Sequence, residues 1–207
     1  MAVFDLAAFE RTPLEHDPFD FLVVPGFVRK EALAALHRDF PAIENPGSFP
    51  TSELSFGPAF QAMLDEFAAP EVRRAVERKF GVDLSRRPLT ATVRGRCQLK
   101  DGRIHTDSKT KIITVLIYLN PSWETPGGRL RLLRSADDLE DFAAEVPPDE
   151  GTLLAFLRSE KSFHGHKPFV GERRAIQFNW VTGKGVAWRE RARHRVSAWL
   201  KRLKAAA

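Results

Sequence analysis

His105 and Asp107 stand two apart in the segment RIHTDSK, and at that spacing an imidazole and a carboxylate lie on the same side of an extended chain, able to grip one ion. A third ligand is available far downstream in KSFHGHKPF, from His164 or from His166, which would point the same way in a strand. Two imidazoles and one carboxylate on one face of a metal leave open positions opposite. That arrangement suits iron(II), which can then take a co-substrate and oxygen, and the same ligands would admit zinc for hydrolysis. The surrounding residues separate the two chemistries. A 2-oxo acid chelating iron leaves its far carboxylate buried, and a buried carboxylate needs a charge-assisted fork and a further donor. Arg173, on a patterned strand after the histidine pair, can supply the fork. Tyr118, the single tyrosine beside 16 phenylalanines, follows the His-x-Asp segment and can donate its hydroxyl.

The elements that must position these groups are legible from periodicity. From Leu89 onward the segments LTATVRGRCQL, KIITVLIYL, GRLRLL, GTLLAFL and RRAIQFNWV read as strands, each bounded by Gly, Pro, Asp or Asn. One helical insertion is expected near Ala136 to Ala144. In 173–180 the odd positions Arg173, Ala175, Gln177 and Asn179 form a polar face. Arg174 falls with Ile176, Phe178 and Trp180 on the other, where it would snorkel over apolar packing. In 112–119 both faces are apolar, so that strand is buried on both sides. Upstream, 20–28 reads as a buried strand broken by Pro25-Gly26, and helices are expected over 29–39, from Phe56 to Phe67 and from Glu71 to Phe80, the last stopped by Gly81. Strands in series with flanking helices argue for a sheet sandwich or barrel, mainly β. The chain is read as one domain over 1–207, with mostly helical framing in 1–88, the β core in 89–183 and a basic C-terminal helix in 184–207.

Composition bounds the remaining classes. With 43% hydrophobic and 29% charged residues, the chain has the balance of a globular protein. It has no apolar run near the roughly 20 residues that cross a bilayer, and the acidic N-terminal stretch argues against a secretion signal. A cytoplasmic location is therefore expected. One cysteine, Cys97, excludes an internal disulfide and any multi-thiolate metal site. Much of the net +5 charge sits in WRERARHRVSAWLKRLK, which reads as a solvated amphipathic helix; no aromatic-basic motif argues for nucleic acid.

Taken in order, His105-Thr106-Asp107, Tyr118-Leu119-Asn120, Trp123, Gly127-Gly128-Arg129-Leu130, His164 and Arg173-Arg174-Ala175-Ile176 resemble the prolyl-4-hydroxylase-like branch of the iron(II)/2-oxoglutarate-dependent oxygenases, over roughly Thr90 to Val181. The resemblance implies a double-stranded β-helix (jelly-roll) core. It also implies iron(II) on His105, Asp107 and His164, and 2-oxoglutarate on Arg173 and Tyr118 with Thr114 lining the pocket. It selects His164 over His166 through the interval to Arg173. The reaction implied is dioxygenase (hydroxylase) chemistry that consumes O2, with ascorbate as an optional reductant. Where members of the branch often carry an aromatic residue before His-x-Asp, this chain has Arg94, Arg96 and Gln98. Arg94 or Arg96 is expected to meet an anionic part of a small-molecule or peptidyl substrate, and His166 to approach the same side. Lys109 and Lys111 read either as solvated charges or as attractors of an acidic substrate. The rival readings are a non-catalytic β-helix module that binds a metabolite or protein, and a zinc hydrolase.

Overall fold

A computed structural model describes residues 2–183 and 185–186 of the chain, so nearly all of the basic helix expected over 184–207 lies outside the described residues. The alternation in the second half of the chain builds the core of the architecture. The alternating strands β3 (Leu89–Cys97), β4 (Lys111–Tyr118), β7 (Leu153–Leu157) and β9 (Gly171–Val181) pair antiparallel in the order β7-β4-β9-β3. Two strands from the first half, β1 (Phe21–Val24) and β2 (Phe49–Pro50), extend this sheet at its two edges. A second sheet of three strands, in the order β6-β5-β8, comprises β5 (Leu130–Leu133), β6 (Phe142–Val146) and β8 (His164–Gly165). Phe21, Tyr118, Leu154, Phe156 and Ala175 from the large sheet meet Leu130, Leu132 and Val146 from the small one, which closes the two layers into the expected double-stranded β-helix.

The opposite face of the large sheet is apolar and needs a cover. Ile113, Val115 and Ile117 of β4, with Ile176, Phe178 and Trp180 of β9, pack in one apolar cluster with helices α1 (Leu6–Arg11), α2 (Lys30–Asp39), α3 (Pro58–Ala68) and α4 (Pro70–Phe80). Phe67 of α3 stacks on Phe178 with ring centroids 3.7 Å apart. The helix boundaries follow from local chemistry. Asp39, buried at the end of α2, accepts from the Ala59 amide at 2.7 Å and so satisfies an orphan donor in the first turn of α3. Pro70 opens α4, and Gly81 ends it in the left-handed region at φ 64.

The helix expected over 136–144 does not form. Ser135 Oγ donates to Asp137 Oδ1 at 2.6 Å, and Asp138 Oδ1 accepts from the Glu140 amide at 2.8 Å. Such short-range bonds offer the backbone an alternative to a helical turn. Phe142–Val146 instead pairs with β5 as β6.

Candidate active site

The polar face of β9 and the even-numbered face of β4 look into the space between the sheets. There they line a cavity of about 490 Å³ that includes Thr114, Leu116, Arg173, Ala175 and Gln177. His105, Asp107 and His164 lie in the same cavity. His105 and Asp107 sit in the loop between β3 and β4 and not within a strand, which departs from the extended segment expected. A reciprocal backbone pair compensates: the His105 amide donates to the His164 carbonyl at 3.1 Å, and the His164 amide donates back at 3.0 Å. This bridge sets the two imidazoles 4.4 Å apart, centroid to centroid.

Both imidazoles are oriented by backbone carbonyls. Nδ1 of His105 is 2.8 Å from the Arg103 carbonyl, and Nδ1 of His164 is 2.9 Å from that of Ser162. A carbonyl can only accept, so each proton sits on Nδ1 and leaves the Nε2 lone pair for a metal. Burial lowers the pKa of His164 to about 4, against the pull of Asp107, so this imidazole is neutral near pH 7. Asp107 is pushed up by burial, yet Lys111, His164 and hydrogen bonds from Lys111 and Thr114 outweigh that and hold it below the usual carboxylate range. Lys111 Nζ is 2.7 Å from one carboxylate oxygen, and Thr114 Oγ1 is 2.5 Å from the other. The Asp107 carbonyl also accepts from Arg158 Nε at 3.1 Å. One donor atom from each of the three residues lies within 4.8 Å of the others. The set is two imidazole nitrogens and one carboxylate, which fits a divalent transition metal with open positions.

Arg173 lines the same cavity, and Tyr118 packs against it. Arg173 Nε donates to the Gly128 carbonyl at 2.8 Å, while its Nη2 is buried with no hydrogen-bond partner. Tyr118 is fully buried, and its hydroxyl also has no partner. The guanidinium carbon lies 5.2 Å from the Tyr118 ring centroid. Burial raises the phenol pKa although the Arg173 charge opposes it, so the group remains a proton donor. Buried donors without an acceptor, on two side chains in contact, are costly unless an anionic acceptor reaches them. The far carboxylate of a bound 2-oxo acid has the chemistry to satisfy both.

The glycine pair after Trp123 shapes this end. Gly128 has φ 76, and a Cβ there would lie 2.7 Å from Trp123 Cζ2; this tight turn aims the carbonyl that holds Arg173. Asn120 stitches β4 to β9, since its Oδ1 accepts from the Arg174 amide at 2.7 Å and its Nδ2 donates to the Arg174 carbonyl at 3.1 Å.

The expected substrate-side residues divide. Arg94 lines the cavity, but its Nη1 is engaged by Asp101 at 2.8 Å. Arg96 does not face the site, contrary to expectation: it is exposed and outside the cavity lining, so of the two arginines only Arg94 reaches the cavity. The cause is a register shift in the β3–β9 ladder between Arg94 and Arg96, which moves the alternation out of phase. His166 lines the cavity without joining the triad, and its Nδ1 donates to the Lys167 carbonyl at 2.8 Å. Arg174 turns away, over the Phe40 ring at 5.1 Å. Of the two lysines, Lys109 is solvated beside Glu160 at 3.5 Å, whereas Lys111 belongs to the site. Arg158, Asp101 and the Gly128 carbonyl carry no local sequence signal, because each reaches its partner through the fold.

Residues 96–182 match the sequence profile of the 2OG-Fe(II) oxygenase superfamily. No curated protein matches the chain. Among solved structures, the chain is similar to a Pseudomonas putida prolyl-4-hydroxylase at 17% identity and a TM-score of 0.59, with 85% of this chain and 91% of that one covered. It is similar to the viral collagen prolyl hydroxylase of Paramecium Bursaria Chlorella virus-1, in complex with 2OG, at 17% identity and a TM-score of 0.55, covering 79% and 95%. HygX from Streptomyces hygroscopicus, with nickel and 2-oxoglutarate bound, aligns at 15% identity and a TM-score of 0.50 over 85% of each chain. At these identities the structural likeness establishes the fold.

Proposed function

We propose that this chain is an iron(II)- and 2-oxoglutarate-dependent dioxygenase that hydroxylates a C–H bond of a small molecule, an amino acid or a peptidyl side chain. The profile match over 96–182 and the double-stranded β-helix support that class. The observation that carries the reading is the pair of unpartnered buried donors, Arg173 Nη2 on the wall of the cavity that holds His105, Asp107 and His164, and the hydroxyl of Tyr118 packed against that arginine. A zinc hydrolase has no use for two buried donors that call for a second anion, and a passive binding module has no use for a complete metal-ligand set.

His105, Asp107 and His164 hold the metal, and Arg173 and Tyr118 hold the far carboxylate of 2-oxoglutarate. When bound, iron and co-substrate supply the activation of O2, and the balance is substrate, 2-oxoglutarate and O2 giving hydroxylated substrate, succinate and carbon dioxide. The protein orients these parties and keeps water out. Lys111 and Thr114 fix the Asp107 carboxylate, Arg158 fixes its backbone, and Thr114 lines the wall beside the co-substrate. Arg94 and His166 belong to the substrate side. A prolyl side chain, the target named for two of the similar structures, is one member of the substrate class. No helix among the described residues is long and apolar enough to cross a membrane, and the buried free thiol of Cys97 supports a reducing, cytoplasmic setting.

Anaerobic addition of iron(II) and 2-oxoglutarate tests the reading, because chelation of both produces a visible metal-to-ligand absorption band. The wild-type chain is expected to show the band and to form succinate in air with its substrate, and Asp107→Ala to lose both. A wild-type protein without the band, or an Asp107→Ala variant that still forms succinate, overturns it.

A further inference from the structure

The cavity lining carries five cationic side chains against two carboxylates. Two of the cations are already matched: Arg94 pairs with Asp101 at 2.8 Å, and Lys111 with Asp107 at 2.7 Å. Arg173 serves the co-substrate under the reading above. The other two, Lys100 and Arg103, have no ion-pair or hydrogen-bond partner for their side chains among the described residues, yet both reach the cavity. They flank one turn, with Gly102 at φ 90 between them.

That turn is braced from several sides. Asp101 Oδ2 accepts from the Gln98 amide at 3.0 Å as well as from Arg94, whose Nη2 also donates to Ser48 Oγ at 3.3 Å. The Asp101 amide donates to the Gln98 carbonyl at 2.9 Å, and the Gly102 carbonyl accepts from the His166 amide at 2.9 Å. A side chain at 102 is excluded, since a Cβ would lie 2.4 Å from His166 Nδ1. Arg94 is thus a strut of the turn, and its charge is spent on Asp101. The free charge is displayed one step further out, on a backbone held in place before any ligand arrives. Preorganised cations at the mouth of a concave site concentrate field there and favour anions over neutral molecules.

We infer that the Lys100–Arg103 turn is the substrate-recognition element of this site and that it grips an anionic group, a phosphate or a carboxylate, on a small-molecule substrate. The inference rests on the oxygenase reading for the orientation of the substrate toward the metal. A cavity of about 490 Å³ falls within the range of small-molecule sites, roughly 300–1,000 Å³. The neutral His166 imidazole, with Nδ1 committed to the Lys167 carbonyl, offers its other nitrogen as an acceptor for a hydroxyl or amine of the same molecule.

The test uses the full chain loaded with manganese(II) and saturating 2-oxoglutarate, so that Arg173 is occupied, and titrates inorganic phosphate or acetate calorimetrically at constant ionic strength. Saturable binding of at least one of the two is expected, weakened about tenfold or more in the Lys100→Ala/Arg103→Ala double variant and unchanged in Arg96→Ala, whose side chain lies outside the cavity. Preference for phosphate or for acetate identifies the anionic group, and either supports the inference. No saturable anion binding to the loaded wild type, or equal binding by the double variant, overturns it. A hexaglutamate peptide that binds the wild type at least tenfold more tightly than either small anion overturns the assignment to a small molecule. Failure of the wild type to take up 2-oxoglutarate instead sinks the oxygenase reading itself. The double variant is expected to bind 2-oxoglutarate as the wild type does, which separates a lost anion site from a misfolded protein.

Discussion

Tyr118 brings a hydroxyl into the interior and leaves it without a partner, beside an equally unpartnered Arg173 Nη2. An unsatisfied buried polar group costs about 1–3 kcal/mol, and a hydrogen bond to a charged group contributes about 1.5–3 kcal/mol. The two effects have opposite signs in one variant. Tyr118→Phe is expected to stabilise the chain free of 2-oxoglutarate by roughly 1 kcal/mol and to weaken 2-oxoglutarate binding about 10- to 100-fold. Urea midpoints with and without co-substrate, together with calorimetric titration, read both numbers. A variant that loses stability and binds 2-oxoglutarate unchanged would remove Tyr118 from the pocket. This residue was legible beforehand because a lone tyrosine in a chain rich in phenylalanine asks why its hydroxyl is there. Lys111 was not, since nothing local distinguishes it from Lys109, and only the fold places one at Asp107 and the other in water.

At the scale of elements, alternation predicted the faces of β4 and β9 correctly and failed on β3. Arg94 and Arg96 share a parity, but the register shift between them puts one in the cavity and the other in solvent. Gly95 lies between them, and a Cβ there would come within 2.6 Å of Ile43 Cβ, so the chain crosses this point only with glycine. The helix expected over 136–144 failed for a different, local reason. Ser135 and Asp138 had short-range side-chain bonds available in place of helical turns. The turn before β5 is a clearer case of sequence read rightly but incompletely: the glycines permit the turn, and the turn in addition aims a carbonyl at Arg173. Gly128→Ala is therefore expected to weaken 2-oxoglutarate binding by about tenfold or more, beyond any loss of stability from its strained φ. Titration below the unfolding transition separates the two. Unchanged affinity in a folded variant would show that the carbonyl does not position the arginine.

Over the whole molecule, one apolar layer fastens the helices to the large sheet and a second fills the space between the sheets, and two histidines are buried beside the second. His164 and His166 have folded-state pKa values pushed down to about 4 from an ordinary 6.5, in each case chiefly by burial. Between those values the unfolded chain binds more protons than the folded one, so their contribution to stability is complete above about pH 6.5 and is lost as pH falls toward 4. At pH 5 the loss is about 2 kcal/mol for each histidine. The metal-stripped chain should thus unfold at lower urea between pH 7 and pH 5, with His166→Gln removing about half of the drop. A midpoint that is flat over this range would contradict the burial of both imidazoles.

The free donor of Arg173 bears on more than catalysis. A ligand that binds only the folded chain and is present at 100 times its dissociation constant adds about 2.7 kcal/mol to folding. Because degradation draws on the transiently opened population, that increment lengthens the protein's survival. If 2-oxoglutarate binds as proposed, the guanidinium tied only at Nε would couple the proteolytic lifetime of this protein to the supply of its co-substrate.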